Sequence, residues 1–168
     1  MCLVSDSKRI VYGSSNPEKG TCMWHCDGTE VKAWRGMRMP KALDLAEHSI
    51  VSLSVPVDSK FFIVSLNSQV HLWDVAGKWA MPLKYTGHEQ KKYVIRSCFG
   101  GINSMCIASG SQNTQVHIRN RRSPTPIEVL SGHSMIVDRV IWNPIRPLML
   151  ASASDDHRIR IWGPKPKQ

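Results

Sequence analysis

The chain has 168 residues, 42% of them hydrophobic, which is enough for one ordinary core, and it carries a net charge of +9 at pH 7. No run of about 18 apolar residues occurs, which argues against a membrane-spanning helix, and residues 1–15 lack the apolar block of a signal peptide. The charge admits acidic partners, but Lys and Arg are scattered and only three Phe and three Tyr are present to stack on bases, so a dedicated nucleic-acid reader is disfavoured.

Residues 2–4 read as the end of a strand, Arg9 to Ser14 as a second, and Thr21 to Trp24 as a third, with the Asn16-Pro17 turn between them and Glu18 at its acidic position. Trp24 ends that third strand, where burial is expected. Asp27-Gly28 is a strong hairpin signal, and Val31 to Trp34 follows as an outer strand. Residues 1–35 thus make one unit of short antiparallel strands. Cys22, His25 and Cys26 could be imagined as metal ligands, but a strand sends neighbours to opposite faces, so no metal site is expected. The five cysteines, at positions 2, 22, 26, 98 and 106, show no spacing shared by two ligand pairs and read as buried thiols of a reducing compartment, cytoplasm or nucleus.

A second unit, residues 36–86, starts with Lys41 to Ala46 as an inner strand and is then interrupted. Glu47-His48 opens a repeat again, and Ile50 to Val55 is another inner strand. Two inner strands in succession imply that roughly one unit is missing at the Ala46–Glu47 junction. Phe61 to Ser65, a turn at Asn67-Ser68, and Val70 to Asp74 complete the unit, with the Trp73-Asp74 pair at its end.

Gly87-His88 opens the third unit, residues 87–130, with strands at Tyr93 to Phe99 and Met105 to Ser109 around a turn holding Gly100, Gly101 and Asn103. Asn113 falls at the next turn and Arg119 at the position of the terminal tryptophan. A guanidinium is costly to bury unpaired, so Arg119 is expected to turn to solvent or find an acid, making this the least stable unit. Ile127 to Leu130 is its outer strand.

The last unit, residues 131–163, is the most regular. Gly132-His133 opens it, Ile136 to Trp142 reads as a strand buried on both faces, and Asn143-Pro144 forces a turn. Leu148 to Ser154 and Arg158 to Trp162 are two further strands joined by Asp155-Asp156-His157. Residues 164–168 form a tail. The unit ends at positions 24, 73, 119 and 162 are spaced by 49, 46 and 43 residues, a period of repeat arrays.

The order His133, Ser152, Asp156, Trp162 resembles the WD-type repeat of β-propellers. That resemblance implies that these four side chains form a hydrogen-bonded tetrad across a blade, with Trp24, Trp73 and Asp74 at other blade ends. The same Ser, His and Asp could be mistaken for a hydrolase triad, but no nucleophile elbow surrounds Ser152. The stretches His71 to Trp79, Lys84 to Gly101, Ile127 to Met135 and Leu150 to Pro164 are similar to the C-terminal half of the WD-repeat subunit of GID/CTLH-type E3 ubiquitin ligases, in its plant-like form. What this implies is an all-β, partial WD-repeat propeller of about four blade-like units forming an open arc.

The resemblance further implies a protein-interaction scaffold that holds ligase subunits or substrates in ubiquitin-dependent degradation, without catalytic residues, cofactor, metal or small-molecule substrate. Partner contacts would then come from loops at the narrow face, at Lys91, Tyr93, Asn103, Ser134, Met135, Asp138, His157 and Arg158. The family's helical LisH and CTLH motifs are not among these residues. The Trp-Asp-x-Arg device of some ligase receptors is incomplete both at Trp73-Asp74-Val75-Ala76 and at Arg119 to Arg122. Two other readings stay open: a non-functional or regulatory short form, and a basic surface binder of nucleic acid. Self-association through open edges is expected of an incomplete ring.

Overall fold

A computed structural model describes residues 2–3, 8–14, 21–34, 50–56, 58–66, 69–76, 78–79, 81–87 and 93–164. Fifteen strands among them form four separate antiparallel sheets, each a simple meander. The first sheet contains β1 (Cys2–Leu3), β2 (Arg9–Gly13), β3 (Thr21–His25) and β4 (Glu30–Trp34). The second contains β5 (Ile50–Ser54), β6 (Phe61–Leu66), β7 (Val70–Asp74) and β8 (Leu83–Tyr85). The third contains β9 (Ser97–Gly100), β10 (Cys106–Ser109), β11 (Gln115–Asn120) and β12 (Pro126–Ser131). The fourth has three strands, β13 (Val137–Trp142), β14 (Leu150–Ser154) and β15 (Arg158–Trp162). Among the described residues, no helix is long and apolar enough to cross a membrane.

The sheets stack in chain order, through β2 on β5, β5 on β9 and β9 on β13. Strand alternation gives each inner sheet two apolar faces, one for each neighbour. Val11 and Met23 of the first sheet share a core cluster with Phe62 and Trp73 of the second. Ile63 and Leu72, from the opposite face of that sheet, join Ile107 of the third. Ala108 and Val116 then meet Val140 and Leu150 of the fourth. Burying one such side chain is worth about 1.5–3 kcal/mol, so most of the stability sits in these three seams.

Several expectations are corrected. Trp24 is 37% exposed, because it lies on the face of the first sheet that meets no other sheet among the described residues. Trp73, flanked by two sheets, is 7% exposed. The first strand of the third sheet begins at Ser97 and not near Tyr93; just before it, Arg96 N–H donates to the Asp138 carbonyl at 3.0 Å. β13 is not buried on both faces, since Asp138, Arg139 and Ile141 are exposed. Cys26 is exposed, whereas Cys22 is buried and burial pushes the Cys98 thiol up to about 12. The short outer strand β8 had no alternation long enough to announce it. The expected strand at Lys41 to Ala46, and Glu18, His48, Asn67, His88 and Lys91, lie outside the described residues.

Candidate functional site

His133 follows Gly132 on the loop into β13, Ser152 is central in β14, Asp156 sits in the turn after it, and Trp162 ends β15. The fold brings all four together. Trp162 Nε1 donates to Ser152 Oγ at 2.8 Å, and Ser152 Oγ lies 2.7 Å from His133 Nε2. His133 Nδ1 lies 2.9 Å from Asp156 Oδ2. An indole N–H can only donate, so the serine accepts from it, and its own hydrogen is left to go to His133 Nε2 when that nitrogen carries no proton. The proton on Nδ1 then goes to the carboxylate, and a neutral imidazole satisfies every group in the chain. The His133 ring also meets the Trp162 indole edge-on, with centroids 6.3 Å apart.

Asp156 does more than close this chain. Its carboxylate accepts the backbone N–H of Ser134 at 3.1 Å and that of Arg158 at 3.0 Å. Desolvation works to raise its pKa, but the His133 imidazole and those two amides outweigh it and bring the group to about 2. One anion thus fixes two loops. Ser152 is buried and already accepts a hydrogen bond, so its oxygen is placed as a strut and not as a nucleophile.

The third sheet rebuilds half of this arrangement with different chemistry. Arg119 is 1% exposed, which overturns the expectation that it turns to solvent or finds an acid. Its Nη1 donates to Ser109 Oγ at 3.0 Å and its Nη2 to the Thr86 carbonyl at 2.9 Å. Arg119 and Ser109 are ten residues apart, as are Trp162 and Ser152. That equal spacing was the signal available in the sequence. Two oxygen acceptors take the Nη1 and Nη2 hydrogens without a carboxylate, while Nε is buried with no partner among the described residues, and burial lowers the pKa. Asn113 takes the turn role through its Oδ1, which accepts from Gln115 N–H at 3.3 Å.

In the second sheet the register puts Val64 where Ser109 and Ser152 stand, so Trp73 is held there by apolar packing with Phe62. Asp74 is a loop cap, accepting the backbone N–H of Lys78 at 2.6 Å and of Trp79 at 3.0 Å. Arg121 clamps this sheet to the third, bonding Asp58 at 2.8 Å and lying 4.6 Å from the Phe61 ring centre, while Tyr85 Oη donates to its carbonyl at 2.7 Å. Sequence reasoning missed this clamp, since nothing in the spacing pairs residues 63 apart.

The candidate contact residues divide between two ends. Ser134, Met135, His157 and Arg158 lie together around Asp156, and Ser154 Oγ donates to the Met135 carbonyl at 3.2 Å. Tyr93 and Asp138 are exposed at the same end, next to Arg96. Asn103 is elsewhere. It lies between β9 and β10, and in a meander that turn is at the opposite edge from the turn between β10 and β11. There it lines a groove of about 780 Å³ with Ile102, Trp142, Leu148 and Trp162.

Comparison with known proteins agrees with this geometry. The family model described as "WD domain, G-beta repeat" matches residues 124–163, which run from β12 through the whole fourth sheet. The chain is 53% identical over 192 residues to the "WD repeat-containing protein WDS homolog" of Arabidopsis thaliana, covering 95% of this chain and 37% of that protein. It is 35% identical over 191 residues to the "WD repeat-containing protein 26 homolog" of the same plant, covering 94% of this chain and 32% of that protein. It is also 34% identical over 120 residues to "GID complex subunit 7" of Schizosaccharomyces pombe, covering 71% of this chain and 24% of that protein. The chain therefore spans about a third or less of these relatives. Both plant alignments are longer than the chain's 168 residues, so each relative holds positions within the matched span that have no counterpart here.

Proposed function

We propose that this chain, which belongs to the WD-repeat family, is a non-catalytic interaction module whose exposed tetrad-end loops hold proteins of a GID/CTLH-type ubiquitin ligase assembly or its substrates. The observation that carries this reading is the Asp156 carboxylate. By binding His133, Ser134 N–H and Arg158 N–H together, it holds Ser134, Met135, His157 and Arg158 on a rigid frame. Pre-ordered loops lose little entropy on binding, which is what a docking surface requires. Likeness to "GID complex subunit 7" supports the choice of partners. Cysteines without disulfides, Cys98 and Cys106, suit a reducing compartment, cytoplasm or nucleus.

The test is co-purification of the tagged chain from cells, with the ligase subunits followed by name. Recovery that falls at least tenfold on replacing Met135 and Arg158 by Asp and Glu supports the reading. Absence of every ligase subunit, with a folded chain, refutes it. The charge of +9 favours a second reading, phosphate-backbone binding. Retention of nucleic acid that weakens steeply with salt, unaffected by the two substitutions, would favour that alternative.

A further inference from the structure

Three loops of the second and third sheets meet at the end opposite the tetrad turns. They run from β5 to β6, from β7 to β8 and from β11 to β12, and in a meander all three lie at that one end. Between them opens a cleft of about 570 Å³, bounded by two four-stranded sheets that each have a sheet on either side. Phe61, Leu72, Trp79 and Leu83 wall it, and Lys60 and Arg122 bring cations to it, beside the Arg121 clamp. Asp74 sets the aromatic part, because by accepting the N–H groups of Lys78 and Trp79 it fixes the loop that carries the indole. The Trp79 ring centre then stands 5.4 Å from that of Phe61. Trp79 is nonetheless 39% exposed, and Met81, which lines the same cleft, is 67% exposed. Tryptophan, methionine and arginine gathered on an ordered surface are the residues that interfaces favour.

The charge around the cleft is not balanced. Asp58 is taken by Arg121, and Asp74 is buried with its carboxylate turned into its own loop. Lys60 and Arg122 are exposed, and no carboxylate pairs with either among the described residues. We propose that this cleft docks a linear acidic segment of another protein, which sets one bulky apolar side chain against Trp79, Phe61 and Leu83 while its carboxylates meet Lys60 and Arg122. Complementary charge selects the flanks of such a segment and the apolar wall selects its central residue. The net charge of +9 draws it in. A nucleic-acid strand fits less well, since Leu72, Pro82 and Leu83 offer aliphatic surface where a base needs an aromatic face. The cleft lies at the other end from Met135 and Arg158, and stands independently of what the tetrad-end loops hold.

Selection of a random peptide display library on the purified chain, followed by fluorescence anisotropy of the enriched peptide, tests this. The expected sequence is a bulky apolar residue flanked by Asp or Glu. Trp79→Ala, and the double variant Lys60→Glu with Arg122→Glu, should each weaken that peptide at least tenfold, as should replacing its acidic residues by Lys. Met135→Asp with Arg158→Glu should leave its affinity unchanged, which separates this site from the tetrad-end surface. The charge variant alters only exposed side chains, so it decides the matter even if loss of the indole unsettles the fold. No enrichment, enriched peptides without acidic residues, binding unmoved by the Lys60 and Arg122 changes, or tighter binding of oligothymidylate than of the peptide overturns the proposal.

Discussion

Arg119 holds Ser109 as Trp162 holds Ser152, a guanidinium N–H at 3.0 Å in one sheet and an indole N–H at 2.8 Å in the next. The donor and its serine are conserved in geometry between the two sheets while the side chain is not. Arg119→Ala strands Ser109 Oγ and the Thr86 carbonyl and opens a cavity, so a loss of about 2–4 kcal/mol is expected. Arg119→Trp restores a donor at the same place and should cost under about 1.5 kcal/mol, if the seam accepts the indole's volume. Urea denaturation of the three proteins checks this, and equal losses for both variants would refute the shared role.

Ser152 is the centre of the tetrad, and Ser152→Ala leaves the Trp162 N–H and His133 Nε2 without their partner. A cost of about 1–3 kcal/mol is expected. Trp162→Ala should cost about 3–5 kcal/mol by the range for tryptophan truncations. Trp24→Ala should cost clearly less, because its ring is already partly in water. Thermal melts rank the three, and a Trp24 variant as damaged as the Trp162 variant would contradict the placement of the first sheet.

The fourth sheet was almost fully legible in the sequence, because each tetrad member sits at a turn or strand end that residue chemistry marks unambiguously. Trp24 was misjudged for a reason the sequence does not carry: burial of a strand residue depends on whether a neighbouring sheet covers its face. Arg119 was misjudged because a cost of burial was counted without its acceptors, Ser109 Oγ from the same sheet and the Thr86 carbonyl from the loop before it. The Asp58–Arg121 clamp was invisible, since it depends on how two sheets are stacked.

That clamp is itself testable. Asp58 is partly exposed, so its bond to Arg121 should contribute only about 1 kcal/mol of coupling in a double-mutant cycle with Asp58→Ala and Arg121→Ala. The single Arg121→Ala variant should lose more, because the stack on Phe61 goes too. Additive effects in the cycle would show that the two side chains act independently.

Gly110, just after β10, lies where the third sheet comes close against the backbone of the fourth. A Cβ there would stand 2.0 Å from the Val137 carbonyl oxygen, a backbone atom that cannot rotate away. Gly110→Ala should therefore destabilise by about 1–3 kcal/mol through overpacking, and it should loosen the amides of Val137 to Trp142 to hydrogen exchange. Gly28→Ala, which meets nothing, would show only the cost of its positive φ and serves as the control. Unchanged exchange across β13 would mean that the two sheets can separate without cost.

Stability should fall with acid in two steps, and the sign of each follows from its own group. His117 is buried, and desolvation first, then the nearby Arg119 cation, pull its pKa down to about 4 from the ordinary 6.5. The unfolded chain therefore binds a proton that the folded chain refuses between those values. Its contribution is complete above pH 6.5 and is lost as pH falls toward 4. Asp156 follows below that. Its folded pKa of about 2 lies under the ordinary carboxylate value near 4, so its contribution is complete above pH 4 and is lost as pH falls toward 2. Denaturation midpoints measured from pH 7.5 to 3 should show the first decline, and His117→Leu should flatten it while leaving the lower limb in place. A variant with the same slope as the parent between pH 6.5 and 4 would remove His117 from the account.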